Sequence, residues 1–141
     1  MSTATAPVNM PLYIAIHSNP GIKHWSLFID APNPSDKTTA HVLGARQRYF
    51  PQISTRSDAR TSPSLVELCP VCEISVELVE AVKRIAWDTR IRNEERDYSC
   101  QDYVLDVLGR LEGEGIVDAR DGGYLRNKDV IMGKRESWIN T

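Results

Sequence analysis

Apolar positions recur along the chain with two periods, and the change from one to the other divides it into a strand-rich first part and a helical second part. Residues 11–17, PLYIAIH, form a short β-favouring run that stops at Ser18-Asn19-Pro20-Gly21, a strong turn signal. Residues 24–30, HWSLFID, alternate Trp25, Leu27 and Ile29 against His24, Ser26 and Phe28, the period of a strand with two unlike faces. After the breaker Ala31-Pro32-Asn33-Pro34-Ser35-Asp36, residues 37–43 put His41 on the face of Thr39 and Leu43 and pair with the preceding strand as a hairpin. His24 and His41 are then expected on adjacent strands. Residues 46–53 read as a further strand, 54–64 as an exposed loop, and 65–72 as a return to β structure.

Helical spacing takes over at Leu78, Val79, Val82, Ile85 and Ala86, with Ser75 as N-cap and Glu77 and Glu80 at the positive end. That helix is expected to end within residues 88–92. The charged stretch 90–98, RIRNEERDY, reads as a solvated loop, with a lid over a site as the minor alternative. It leads to Ser99, a second N-cap, so Cys100 falls in the first turn of a new helix. Tyr103, Val104, Val107, Leu108 and Leu111 share its face, while Gln101 lies mainly elsewhere, so the thiol points toward the protein. Gly113 and Gly115 stop this helix, Asp121-Gly122-Gly123 reads as a turn, and residues 124–141 hold one short element of either kind. The fold class expected is α+β: an antiparallel sheet packed against two or three helices.

The 141 residues are the size of one domain, so residues 1–10 read as a flexible tail and 11–141 as a single domain. A net charge of -2 gives no long-range attraction for phosphate backbones, which argues against a nucleic-acid partner. No apolar run reaches the roughly 20 residues of a membrane span, and the polar N-terminus does not read as a signal peptide. Three cysteines in such a chain fit a reducing, cytoplasmic setting in which thiols stay free.

A thiol in the first turn of a helix gains from unpaired N–H groups and the positive end of the macrodipole. An imidazole nearby can take its proton, and a second polar group can fix the imidazole's tautomer. Cys100, His24 and His41 are the residues suited to those three roles. The stretch HWSLFID, the second histidine in Ala40-His41-Val42, and Ser99-Cys100-Gln101-Asp102-Tyr103-Val104 together resemble the circularly permuted NlpC-type, papain-like hydrolases, above all the lecithin:retinol acyltransferase-like family. The resemblance runs from about residue 11 to residue 112. It implies a nucleophile at Cys100, a base at His24 and an orienting residue at His41, working through an acyl-enzyme. The family's usual Asn-Cys-Glu-His-Phe stands here as Ser99-Cys100-Gln101-Asp102-Tyr103, and the membrane-anchoring helix of several acyltransferases has no counterpart. A small soluble amide, ester or thioester is therefore the expected substrate. Desumoylating isopeptidases share the His-before-Cys order, which keeps a protein substrate open.

Tyr13, Trp25 and Tyr103 are the candidates to line a substrate cleft. His17, beside a turn, is explained by exposure or capping. Cys69-Pro70-Val71-Cys72 has the spacing of half a zinc site, but no second half follows, and its strand position predicts one buried and one exposed side chain. No metal or cofactor is called for; a zinc site at Cys69, Cys72 and a histidine is the weakest alternative. A non-catalytic binding module on the same scaffold is the reading from another class.

Overall fold

Strand formation follows the period-2 pattern closely. β1 (Asn9–His17), β2 (His24–Ile29), β3 (Thr38–Leu43), β4 (Phe50–Thr55) and β5 (Leu65–Ser75) form one antiparallel sheet in the order β4-β3-β2-β1-β5. The computed structural model describes residues 8–139. Of the expected N-terminal tail, residues 1–7 lie outside the described residues. Asn9 and Met10 belong to β1, and Met10 is buried because its partner Ile74 draws it into the core.

One face of the sheet carries Leu12, Ile14, Ile16, Trp25, Leu27, Ile29, Ala40 and Val42 into a single apolar core. Helices α1 (Val79–Asp88), α2 (Cys100–Gly113) and α3 (Gly122–Met132) close that core with Val82, Ile85, Tyr103, Val107, Leu108, Leu111, Tyr124 and Ile131. The architecture is thus α+β, a five-stranded antiparallel sheet with three helices. The opposite face carries Tyr13, Ala15, His17, His24, Ser26, Phe28, Thr39 and His41. It is partly covered by the β4–β5 connection, whose Ala59 packs on Ala15 and Phe28.

Local departures from the sequence reading have identifiable causes. β4 starts at Phe50 rather than Arg46, because Gly44 (φ 102°) and Gln47 (φ 65°) turn the chain sharply. A Cβ at Gly44 would stand 2.6 Å from the Arg48 carbonyl oxygen, so the turn needs glycine. A bulge opposite Leu12/Tyr13 in β5 pairs Cys69 with Ile14 and Cys72 with Leu12, both core-face residues. The two cysteines therefore lie on the same side, Cys69 buried and Cys72 partly buried, and the expected alternation fails. Ser75 caps a short 3-10 turn, Val76–Leu78, that runs into α1. Asp121-Gly122-Gly123 opens α3 instead of ending in a turn: Asp121 accepts a hydrogen bond from the Tyr124 N–H, and the glycines fall where helical N–H groups need no partner within the helix. Among the described residues no helix is long and apolar enough to cross a membrane.

Candidate active site

α2 begins where its sequence says it should. Ser99 accepts from the Gln101 N–H, and Asp102 accepts from the Ser99 N–H at 2.9 Å, a reciprocal capping box that fixes Cys100 as the first helical residue. β2 and β3 pair only between Leu27–Ile29 and Thr38–Ala40. Beyond that ladder the Trp25 N–H hydrogen-bonds the Cys100 sulfur, and the sulfur lies 3.7 Å from the Lys23 carbonyl oxygen. The thiol thus reaches the sheet at the start of β2, where Lys23 and Trp25 flank His24 in sequence, and no hydrogen bond joins Cys100 to His24 among the described residues.

On the outer face His17 and His24 are cross-strand partners, their rings 5.9 Å apart, and His24 meets His41 at 5.0 Å between ring centres. His24 Nε2 is 2.8 Å from His41 Nδ1, and His41 Nε2 is 2.9 Å from Gln52 Oε1. These bonds determine the tautomers. A carboxamide oxygen only accepts, so His41 Nε2 carries a hydrogen and its Nδ1 is the acceptor; His24 Nε2 then donates, and the lone pair of neutral His24 lies on Nδ1. No hydrogen bond among the described residues engages that nitrogen. Gln52 is opposite His41 in the β3–β4 register and was not expected from sequence.

Burial, with His41 and His17 beside it, pushes His24 down to about 4. His41 is also lowered by burial, although its bond to Gln52 works the other way, and His17 is lowered by burial and by His41. All three rings are neutral at neutral pH. Burial pushes the Cys100 thiol up to about 11, against the pull of backbone N–H groups from Trp25 and Gln101. A thiol and an imidazole so placed do not exchange a proton at rest, and any transfer would accompany attack on a substrate.

His17, His24, His41 and Cys100 all line one cleft of about 860 Å³. Tyr49 and Trp138 stand in its wall as well, and burial raises the Tyr49 pKa. Ser26, 0% exposed on the cleft floor, has a hydroxyl with no hydrogen-bond partner among the described residues.

The expected cleft-lining aromatics lie elsewhere. Trp25 is in the core because it alternates with His24 along β2. Tyr103 is fully buried and donates its hydroxyl to the Ala86 carbonyl at 2.6 Å. Tyr13 is on the outer face but stacks on Phe28, outside the cleft. Gln101 is buried, not exposed: its carboxamide donates to the Lys23 carbonyl and to Glu136 and accepts from the Glu136 N–H. The charged stretch before α2 is a buttress. Asn93 bonds the Tyr49 backbone at both N and O, Arg92 pairs with Asp106, and Asp97 accepts from Ser137 and from the Trp138 N–H. Among the described residues no group of three or more His, Cys, Asp or Glu side chains is placed to hold a metal ion.

Residues 12–118 match the model of DUF6540, a family of unknown function. The matched stretch contains His24, His41, Gln52 and Cys100 and stops short of α3 and Trp138. No curated protein and no solved structure matches the chain.

Proposed function

The chain belongs to the DUF6540 family, and from that premise we propose that it is a cysteine-dependent hydrolase or acyltransferase acting on a soluble amide, ester or thioester in a reducing, cytoplasmic setting, on a permuted papain-like, NlpC-type scaffold. One observation carries this reading: Cys100 opens into the cleft whose wall holds the His24–His41–Gln52 chain, which leaves His24 Nδ1 as the basic nitrogen. In the reaction the Cys100 sulfur attacks the acyl carbon as its proton passes to His24 Nδ1. The resulting imidazolium donates from Nε2 to His41. Collapse of the tetrahedral adduct expels the leaving group, which takes that proton and leaves a thioester on Cys100. Water or another acceptor, deprotonated by His24, then attacks the thioester and releases the acyl group. The N–H groups at the head of α2 and of Trp25 stabilise negative charge as it develops.

A non-catalytic binding module is favoured by one feature, the thiol's environment. Cys100 is 6% exposed, and burial pushes its thiol up to about 11, as it does those of Cys69 and Cys72. All three thiols are thus protonated at neutral pH, and a base at Cys100 is marked by an excess reactivity that depends on His24. Iodoacetamide labelling at neutral pH, read by peptide mass spectrometry, tests for that excess. The expected result is alkylation of Cys100 at least about tenfold faster than of Cys69 and Cys72, with the excess abolished in His24→Ala. Equal, slow labelling of all three that ignores His24 rejects the enzyme.

A further inference from the structure

The cleft carries a cation prepared for a ligand. The β3–β4 turn that glycine at position 44 makes possible presents Arg46 in the cleft wall. Arg46 is anchored twice: its Nε donates to the Arg96 carbonyl at 2.7 Å, and its guanidinium lies 5.7 Å from the centre of the Trp138 ring. Trp138 is itself fixed, its backbone N–H donated to Asp97 and its ring packed on Gly21 so closely that a Cβ there would approach to 3.3 Å. No carboxylate among the described residues pairs with Arg46, and neither of its two terminal nitrogens makes a hydrogen bond to them. A guanidinium bound only through Nε and set over an indole keeps free the planar fork that matches the two oxygens of a carboxylate.

The rest of the lining agrees in sign. Arg56 also lines the cleft without an ion-pair partner among the described residues, and the acidic residue in the lining, Asp58, is held by Arg60 at 3.0 Å. The cleft is thus locally positive in a chain of net charge -2. Tyr49 lines the same cleft as this cation and the thiol. The orphaned hydroxyl of Ser26 offers a further polar contact on the floor.

We infer that the cleft takes an acyl substrate bearing a carboxylate, gripped by the free edge of Arg46 against Trp138 while the acyl carbon lies at Cys100. This rests on the proposed thiol chemistry for the word substrate, but the binding step can be measured without it. A single free fork favours a planar carboxylate over a phosphate, whose tetrahedral oxygens are commonly gathered by several donors.

The test uses the full chain carrying Cys100→Ala, which removes the nucleophile and leaves Arg46 in place. Tryptophan fluorescence reports the titration, because Trp138 lines the cleft while Trp25 is in the core and Trp87 on the surface. Glutarate is expected to bind at least about tenfold more tightly than its neutral diamide, the gain of a charge-assisted fork. Arg46→Gln should erase that preference, Arg46→Lys should keep only part of it, and inorganic phosphate should bind more weakly than glutarate. Equal affinity for glutarate and the diamide, or a preference that survives Arg46→Gln, overturns the inference. Tighter binding of phosphate overturns the carboxylate. Because the variant has no thiol at the site, a failure here is separate from a failure of His24-dependent labelling.

Discussion

The basicity of His24 Nδ1 depends on Gln52, a residue that touches neither His24 nor Cys100 in any recorded hydrogen bond. With the carboxamide oxygen in place His41 Nε2 donates, and each ring hands a defined tautomer to the next. Gln52→Leu removes the acceptor and frees His41 to adopt the other tautomer, in which its Nδ1 donates and the bond from His24 Nε2 is lost. A hydrogen bond of ordinary net strength, about 1 kcal/mol, then sets the size of the effect: a roughly 2- to 10-fold fall in the His24-dependent labelling of Cys100. Gln52→Glu keeps an acceptor and should retain the rate while raising the His41 pKa, which an NMR titration of the imidazole would follow. No change in labelling with Gln52→Leu would remove Gln52 from the relay. The placement of Cys100, His24 and His41 was legible in the sequence because a cap fixes the first and strand alternation the other two, and their combination rather than any one alone made them candidates. Gln52, His17, Arg46 and Trp138 were not, because their roles arise only where elements meet. For His17 a signal existed: pairing residues 11–17 with 24–30 across the 18–23 loop makes His17 the direct partner of His24.

Among the elements, α2 has the most dependent on its first turn, and two opposing effects there can be separated. Asp102 accepts from the Ser99 N–H and from Arg135, which ties the segment after α3 to the head of α2. Its negative charge is also one of the influences that raise the Cys100 pKa, after burial. Asp102→Asn should therefore make the thiol easier to ionise and speed its alkylation, while the loss of the capping box and of the Arg135 pair lowers stability. Ser99→Ala removes the other half of the box, costing about 1 kcal/mol or a few degrees of melting temperature, and leaves the Asp102 charge in place. Opposite signs of reactivity and stability in Asp102→Asn, with only the stability change in Ser99→Ala, are the expected pattern; slower alkylation in Asp102→Asn would contradict it. The start of α2 at Ser99 could be read because a cap is local chemistry; Ser75 caps too, but the turn it opens is 3-10 and α1 begins only at Val79. The start of β4 could not, since it depends on left-handed backbone at Gly44 and Gln47, and the β3–β4 register that pairs His41 with Gln52 went with it. The bulge in β5 hid the common face of Cys69 and Cys72 for the same reason: one inserted residue inverts the alternation that follows.

At the scale of the molecule the sheet separates two environments, an apolar core under the helices and a histidine-lined cleft on the other face, and Cys100 is where they meet. The burial pattern predicted the first face well, since Trp25, Leu27 and Ile29 alternate cleanly; the second needed the β4–β5 connection folded across it, which no local pattern announces. Three neutral imidazoles on that outer face make the fold sensitive to acid before its carboxylates titrate. A histidine whose folded pKa is depressed binds fewer protons when native than when unfolded, so its contribution is fully present above the unfolded value of 6.5 and is lost as pH falls toward the folded value. For His24 that window runs from 6.5 to about 4 and amounts to on the order of 3 kcal/mol, with His17 and His41 adding in the same direction. The lowered carboxylates Asp58, Asp97 and Glu112 act in a lower range, below the ordinary values of 3.8 and 4.5, because their partners hold them ionised. The melting temperature should therefore drop by roughly 5 to 10 °C between about pH 7.5 and about pH 4.5. Replacing His24 by Asn should flatten most of that slope, since the most depressed ring and its repulsion from both neighbours go together. A melting temperature that stays level through this range in the wild type would mean that the imidazoles titrate as they do in water, and the row of rings that gives the cleft its chemistry would not exist.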